Sequence, residues 1–243
     1  MLFIIFEVRQ KLSSMAKQDG AYTNGRIGNL IYYKWRGIPC VRSVPDRVKQ
    51  TKATKQSAKH FGRAVQLSRC LRAYLSPCLP DHKSKPVMYA MNAALMSWFR
   101  QEQPMAEHIS FVGVEFNEKS TLASKFRQQP AVDFSKNGKI VISFPELRIP
   151  EDIVAPSNTT SVRIGLAAVG CMFPGFNPTG VTSESIEIPY KQGALPAMKK
   201  ELACKPGSLN VVAMCLRYKT KNSEVEITEQ RWMPAAIIAA QMD

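Results

Sequence analysis

Cations and aromatic side chains are interleaved in one short stretch of the chain. Residues 25–45 read GRIGNLIYYKWRGIPCVRSVP, with four lysines or arginines and no carboxylate. Lys34, Trp35 and Arg36 stand together at its centre. Cationic side chains bind phosphates through counterion release, and aromatic rings stack on unpaired bases. The stretch is therefore a candidate site for an anionic partner.

A second row of cations follows at helical spacing. Its members are Lys52, Lys55, Lys59 and Arg63. Steps of three and four residues place these side chains on one face of a predicted helix. Three interpretations of both cation sets stay open: contact with nucleic-acid phosphates, a solvated face beside a tyrosine anchor, and a seat for an acidic protein. No helix-turn-helix or zinc-finger pattern is present, so nucleic acid would be bound largely without sequence preference.

The excess of positive charge belongs almost entirely to the first part of the chain. Residues 15–105 hold sixteen lysines and arginines against four carboxylates, whereas residues 106–243 hold fifteen against fourteen. The whole chain has a net charge of +14. Such asymmetry favours an anionic partner for one region of the chain, with nucleic acid the commonest choice.

Residues that catalysis would require are few and dispersed. The three histidines, His60, His82 and His108, are far apart in the sequence. The sequence contains neither a Gly-x-Ser-x-Gly nor a Gly-x-Gly-x-x-Gly pattern. Glu226 and Glu229 fall in a segment that is predicted as a strand, with their carboxylates on its solvated face. The sequence therefore predicts a protein that is not an enzyme, with no cofactor, metal or small-molecule substrate.

The six cysteines include no Cys-x-x-Cys pair, so no zinc site or disulfide framework is predicted. Reduced, buried thiols and a cytoplasmic location are expected instead. Residues 1–14 begin with the apolar run MLFIIF, which is far shorter than the roughly 20 residues of a membrane span. We interpret residues 1–14 as a start-site extension before Met15, and we expect no membrane association.

Two kinds of element are predicted before Pro104. The β-branched and aromatic runs at 27–33 and 38–42 predict a β-hairpin, with Gly37 in its turn. Helical periodicity predicts helices over 51–76 and 87–101. The apolar face predicted for the first helix comprises Phe61, Val65, Leu67, Leu71 and Leu75. The apolar stripe of the second helix comprises Val87, Met91, Leu95, Trp98 and Phe99.

After Pro104 the pattern changes to short β-rich runs separated by turns. Candidate strands include ISFVGVEF, AVDFS, IVISFPEL, TTSVRIGLAAVGCMF, SESIEIPY, SLNVVAMCLRYKT and SEVEITEQRWMPAAIIAA. Asn137-Gly138 is the strongest hairpin signal in the chain. About seven strands predict an immunoglobulin-like β-sandwich. The predicted class is thus α+β, with a basic hairpin-helix region at 15–104 and a β-sandwich domain at 105–243.

The first stretch resembles a family that is catalogued only as a domain of unknown function and is common in Bacteroidota. The shared pattern is G-x-x-G-x-x-x-Y-x-x-x-x-G-x-x-x-x-R-x-x-P, here at Gly25, Gly28, Tyr32, Gly37, Arg42 and Pro45. Gln56 and Phe61 extend the match into the first helix, with Thr54 one residue closer to Gln56 than in the family. The resemblance covers residues 20–100 and is general beyond them. The head of the pattern also looks like small phage and prophage virion-associated proteins.

The resemblance implies an architecture, a hairpin-helix head before an immunoglobulin-like region, and it assigns no activity. Physically, Gly25 and Gly28 allow bends, and Gly37 allows the positive φ of a hairpin turn. Arg42 and Gln56 are expected to dock the hairpin on the first helix. We therefore interpret the glycines, Tyr32, Arg42 and Gln56 as structural, and we keep anion binding for the lysines, Trp35, Arg36 and Arg63.

The function predicted from the sequence is that of a non-enzymatic interaction or assembly protein with an immunoglobulin-like module. It would act in the cytoplasm or in a phage-like particle, on a protein partner or on further copies of itself. The alternative is a nucleic-acid-binding protein that uses its basic N-terminal half.

Overall fold

The computed structural model describes most of the chain. Its described residues are 17–19, 22–45, 49–79, 84–101, 109, 111–135, 139–173, 175–203, 205, 207, 209–221 and 225–242. The chain separates into two compact units, residues 1–52 and residues 53–243, and each is described by itself. Helices and antiparallel sheets are both present, in agreement with the predicted α+β class. The predicted start-site extension, His82, His108 and the Asn137-Gly138 turn lie outside the described residues.

The first unit contains a four-stranded antiparallel sheet, which we call the N-terminal sheet. Its strands, in spatial order, are β1 (Lys17–Asp19), β2 (Tyr22–Ile27), β3 (Leu30–Trp35) and β4 (Ile38–Ser43). Two residues connect β3 to β4, Arg36 with φ 50° and Gly37 with φ 84°. Positive φ at both central positions is the geometry of the type I′ turn, whose twist matches that of the paired strands. The runs predicted as a lone hairpin are thus part of a larger sheet.

Two long helices open the second unit. They are α1 (Lys52–Tyr74) and α2 (Lys85–Arg100), and a single turn, α3 (Leu122–Lys125), follows later. The predicted apolar stripe of α2 is confirmed, because the same five side chains are its buried ones. In α1 the buried face begins only at Ala64, and Phe61, predicted to lie on that face, is exposed. Most side chains in the first three turns of α1 are therefore exposed.

Nine strands are described in the rest of the second unit. They are β5 (Ala131–Ser135), β6 (Lys139–Phe144), β7 (Leu147–Ile149), β8 (Thr159–Met172), β9 (Asn177–Pro189), β10 (Gly193–Leu195), β11 (Met198–Ala203), β12 (Leu209–Thr220) and β13 (Ala235–Met242). The central sheet has the order β13-β12-β8-β9, and the second sheet has the order β11-β6-β5. The short pair β10-β7 extends the ladder between β11 and β6. All of these pairings are antiparallel.

The central sheet is buried on both faces. Along β12, Val211, Ala213 and Cys215 join the apolar cluster that contains the buried stripes of α1 and α2. The intervening Val212 and Met214 join the cluster that contains the second sheet. Alternate residues of a strand point to opposite faces. The unit therefore has three layers, namely the helix layer, the central sheet and the second sheet.

This layering changes the predicted domain division. The helices were predicted to belong with the hairpin in residues 15–104, apart from the β region. They share one buried cluster with β8, β12 and β13, and the boundary between compact units falls after Lys52. The helices pack on the central sheet because one face of that sheet carries apolar side chains that must be buried against another element.

One predicted strand is wrong, and the predicted segment SEVEITEQRWMPAAIIAA is a strand only at its end, in β13. The segment ISFVGVEF forms a turn at 111–113 instead, in which Gly113 takes φ 86°, and only Glu115 makes an isolated bridge, to Ala236. The described residues 225–229 are not a strand, so Glu226 and Glu229 do not share a strand face. Glu226 forms an ion pair with Arg163, in which its Oε1 atom lies 2.6 Å from Nη2 of the arginine. Glu229 pairs with Arg231 at 2.7 Å.

Candidate functional site

The N-terminal sheet sorts its side chains onto two chemically different faces. Cross-strand partners lie on the same face of an antiparallel sheet. Arg26 pairs with Ile31 and Ile31 with Arg42, so the two arginines flank β3 on one face. Two and four residues beyond Ile31, Tyr33 and Trp35 lie on that face as well. We call this surface, defined by Arg26, Tyr33, Trp35 and Arg42, the arginine–aromatic face.

Each aromatic ring of this face has a guanidinium beside it. The Cζ atom of Arg42 lies 6.0 Å from the ring centroid of Tyr33, and that of Arg36 lies 5.9 Å from the ring centroid of Trp35. Trp35 is 62% exposed. Arg26 is oriented by a hydrogen bond from its Nε to the Gly28 carbonyl oxygen, 2.9 Å long. The face therefore presents aromatic planes with cations around them.

The opposite surface, which we call the aliphatic face, is built from Ile27, Leu30 and Val41. Ile27 pairs with Leu30 and Val41 with Tyr32, which places these residues together on the side away from the arginines. Lys34 and Pro39 complete this face. Ile27, Leu30 and Val41 are all exposed, with Val41 at 53%. Lys34 and Trp35, neighbours in the sequence, thus lie on opposite faces of the sheet.

The N-terminal sheet has no core of its own among the side chains described. From Thr23 to Val44 each residue is exposed or half-buried, including Tyr32 and Tyr33, for which the sequence left a place in the core open. A sheet is independently stable in water when it has three or more strands with a hydrophobic face, or when it packs against a helix. Contiguous exposed apolar surface of this kind marks an interaction site.

The predicted anion-binding residues are only partly brought together. Trp35 and Arg36 lie by the arginine–aromatic face, whereas Lys34 lies on the other one. Lys55 and Lys59 are exposed on α1, on the part of the helix that buries nothing. The Cζ atom of Arg63 lies 4.8 Å from the ring centroid of Phe99, so this arginine packs on α2. Lys52 is exposed at the start of α1.

Sequence reasoning assigned Arg42 a structural role, and it did not select Arg26 or Tyr33 for the site. The signal that unites them is strand register, because Arg26, Tyr33 and Arg42 converge only once the pairing of β2, β3 and β4 is known. Gln56 is exposed on α1. Docking of Arg42 on Gln56 stays a prediction, since the two residues belong to separate units.

Metal-binding side chains do not converge in the part of the chain described. No cluster of three or more histidine, cysteine or carboxylate side chains is placed there to hold a metal ion. His60 is half-buried on α1, and its Nδ1 atom has no hydrogen-bond partner among described residues. Among the same residues, no helix has the length and apolar character to cross a membrane.

Comparison of this chain with protein-family models, with curated proteins and with solved structures finds no match. The resemblance of residues 20–100 to a Bacteroidota family stays a prediction. Function must therefore be inferred from the surfaces of the two units.

Proposed function

We propose that this chain is a non-enzymatic assembly protein that consists of an immunoglobulin-like module and an N-terminal sheet through which copies of the chain associate. It would act in the cytoplasm or in a phage-like particle. The observation that carries this proposal is the aliphatic face, an apolar sheet surface that no described part of the chain covers.

The strand order of the second unit supports an immunoglobulin-like module. If β5, β6, β8, β9, β11, β12 and β13 are labelled A, B, C, C′, E, F and G, the sheets read A-B-E and C′-C-F-G. That division, with C′ beside C, is a variant of the Greek-key sandwich. The helix layer is an addition to it, and it covers the outer face of the C′-C-F-G sheet.

The occupant proposed for the aliphatic face is the same face of a second copy. Ile27, Leu30 and Val41 offer an apolar surface, with Lys34 beside it, that can pack against the same surface of a second copy. Full burial of such a side chain contributes about 1.5–3 kcal/mol. Opposing this contact is the repulsion between two chains of net charge +14. Salt screens that repulsion, so association should strengthen as ionic strength rises.

Val41→Asp is expected to weaken self-association at least tenfold, because the contact would bury an unpaired carboxylate. The matched control is Ile38→Asp on the same strand. Ile38 is 63% exposed, but it lies with Trp35 on the arginine–aromatic face, so its replacement should leave association unchanged. Light scattering after size exclusion, over the micromolar range and at low and high salt, measures the effect.

Because both substituted positions are exposed, circular dichroism should show a folded protein for each variant. A chain that is monomeric at every salt concentration contradicts the proposal. So does an equal loss of association in both variants, since that result would trace association to net charge and not to the aliphatic face.

The arginine–aromatic face favours a second candidate function, the binding of single-stranded nucleic acid. Tyr33 and Trp35 are two residues apart on one strand, so their rings are about 7 Å apart along it. Exposed rings on a sheet stack on unpaired bases, and flanking arginines contact the phosphates. This candidate needs only one face of the sheet and is compatible with association through the other.

Trp35→Ala is expected to weaken binding of a labelled oligodeoxythymidine by about 5–150-fold, the loss of one stacked base at about 1–3 kcal/mol. Replacing Arg26 and Arg42 together by alanine should lower the salt slope of log K by about 1.4, since each phosphate contact on a single strand contributes about 0.7. The matched control is Lys34→Ala, because Lys34 lies on the aliphatic face. Fluorescence anisotropy at several salt concentrations gives both quantities.

Single strands should bind better than a duplex of the same sequence, because duplex bases are already stacked. Binding should weaken with salt, the opposite sign to self-association. Equal affinity for both forms, or Lys34→Ala as damaging as the double arginine variant, would show that the cations act as a diffuse field and would reject this candidate.

A further inference from the structure

Two pairs of cysteines connect the helix layer to the central sheet. Cys70 of α1 has its Sγ atom 3.5 Å from Sγ of Cys171, near the end of β8. Cys78, in the turn after α1, lines the same cavity as Cys215 of β12, and each thiol shifts the pKa of the other. None of the four cysteines is in a disulfide bond. Each pair takes one cysteine from each layer, and neither pair was apparent from the sequence, since the partners of the first are 101 residues apart.

The Cys70–Cys171 pair is reachable from solvent on one side. Cys70 is half-buried, whereas Cys171 is fully buried. The Cys70 thiol donates a hydrogen bond to the carbonyl oxygen of Phe176, which lies 3.1 Å from its Sγ atom. The hydrogen bond from Cys171 lowers the pKa of Cys70, and burial opposes that effect. The more exposed thiol is therefore also the one whose thiolate is favoured, as an attacking thiol requires.

The Cys78–Cys215 pair borders a cavity of about 260 Å³ that is also lined by Arg163, Gly165 and Ser185. A Cβ atom at Gly165 would lie 2.7 Å from Sγ of Cys215, so glycine leaves the space that this sulfur occupies. The pKa of Cys215 is lowered to about 7. The Cys78 thiol has the largest effect, burial opposes it, and the Arg217 guanidinium lowers the pKa further. Cys215 and burial raise the pKa of Cys78 well above its usual value, so the Cys215 thiolate is the favoured one of the pair.

We propose that these two pairs are oxidisable dithiols, which a small disulfide converts into disulfide bonds that fasten the helix layer to the central sheet. At the second pair, the Cys215 thiolate attacks one sulfur of the reagent and releases its other half as a thiolate. Cys78 then loses its proton and attacks the Cys215 sulfur of the mixed disulfide, which releases the second half. Two protein thiols are oxidised and one reagent disulfide is reduced to two thiols. Cys70 and Cys171 react in the same way.

The experiment uses the full chain with Cys40→Ser and Cys204→Ser, so that only the four paired thiols remain. The reduced protein is treated with hydroxyethyl disulfide, unreacted thiols are alkylated, and peptides are mapped by mass spectrometry without reduction. The expected result is loss of all four thiols, with cross-linked peptides Cys70–Cys171 and Cys78–Cys215. A cross-link closing a loop of about 100 residues should raise the melting temperature by about 10 °C or more. Dithiothreitol should reverse the rise.

The further variant Cys171→Ser should retain the Cys78–Cys215 disulfide and lose the other. Mapping of the unsubstituted chain serves as a second measurement that depends on no substitution. Thiols that stay alkylatable, mixed disulfides that never resolve, or a cross-link between Cys70 and Cys78 would each overturn the proposal.

Discussion

Replacing Trp98 by alanine is expected to lower the free energy of unfolding of the second unit by about 3–5 kcal/mol. Trp98 is 0% exposed and lies at the centre of an aromatic cluster in the helix layer. Its ring centroid is 4.9 Å from that of Phe99, 5.3 Å from that of Phe111 and 6.2 Å from that of Phe173. Alanine removes all three contacts and leaves a cavity among rings that hold α2 in place.

Urea denaturation followed by circular dichroism measures this loss, and the melting temperature should fall by about 6–20 °C. Tyr89→Ala is the matched control, because Tyr89 lies on the same helix but is 61% exposed. Its effect should stay within about 0.5 kcal/mol. Equal effects of the two substitutions would mean that the helix layer is not packed as described.

Gly207→Ala is expected to destabilise the second unit by about 1–3 kcal/mol, the cost of overpacking a filled site. A Cβ atom at this position would lie 2.5 Å from the carbonyl oxygen of Cys171 and 2.7 Å from its nitrogen. Backbone atoms cannot rotate away as a side chain can. The side chain of the buried Asn210 also makes two hydrogen bonds with Gly207. The Gly207 N–H donates to Oδ1 of Asn210 over 3.0 Å, and Nδ2 of Asn210 donates to the Gly207 carbonyl oxygen over 3.1 Å.

Gly62→Ala provides a control of opposite sign. Gly62 lies within α1, and a Cβ atom there would meet nothing within 4 Å. Alanine should therefore stabilise the helix by up to about 1 kcal/mol through its higher helix propensity. Chemical denaturation of both variants gives the comparison. If Gly207→Ala were as stable as the natural chain, the close approach of residues 207 and 171 would be disproved.

The helices could be predicted from the sequence because helical periodicity is local. The stripe from Val87 to Phe99 identifies the buried face of α2 without any knowledge of its partner. The same argument failed for Phe61, because α1 extends beyond the sheet that it covers, and an apolar residue on its outer part finds nothing to pack against. Periodicity locates a face, but it does not show how much of that face is covered.

Strand pairing was the part that the sequence could not supply. Val211 to Leu216 is continuously apolar, which indicates a strand buried on both sides but does not identify what covers either side. Lys34 and Trp35 looked like one site until register placed them on opposite faces. Arg63 followed the spacing of the lysines, yet its guanidinium packs on Phe99 from another helix. Each of these outcomes depends on residues distant in the chain.

The layered second unit also has a consequence for the order of events during synthesis. The turn after α1 contacts β12, where the Cys78 thiol lies 3.6 Å from the carbonyl oxygen of Ala213, 135 residues later. At about 5–20 residues per second, a ribosome takes about 7–27 seconds to synthesise that intervening length. The helix layer is made first and covered last. Its apolar stripe therefore stays without this partner strand until β12 has been synthesised.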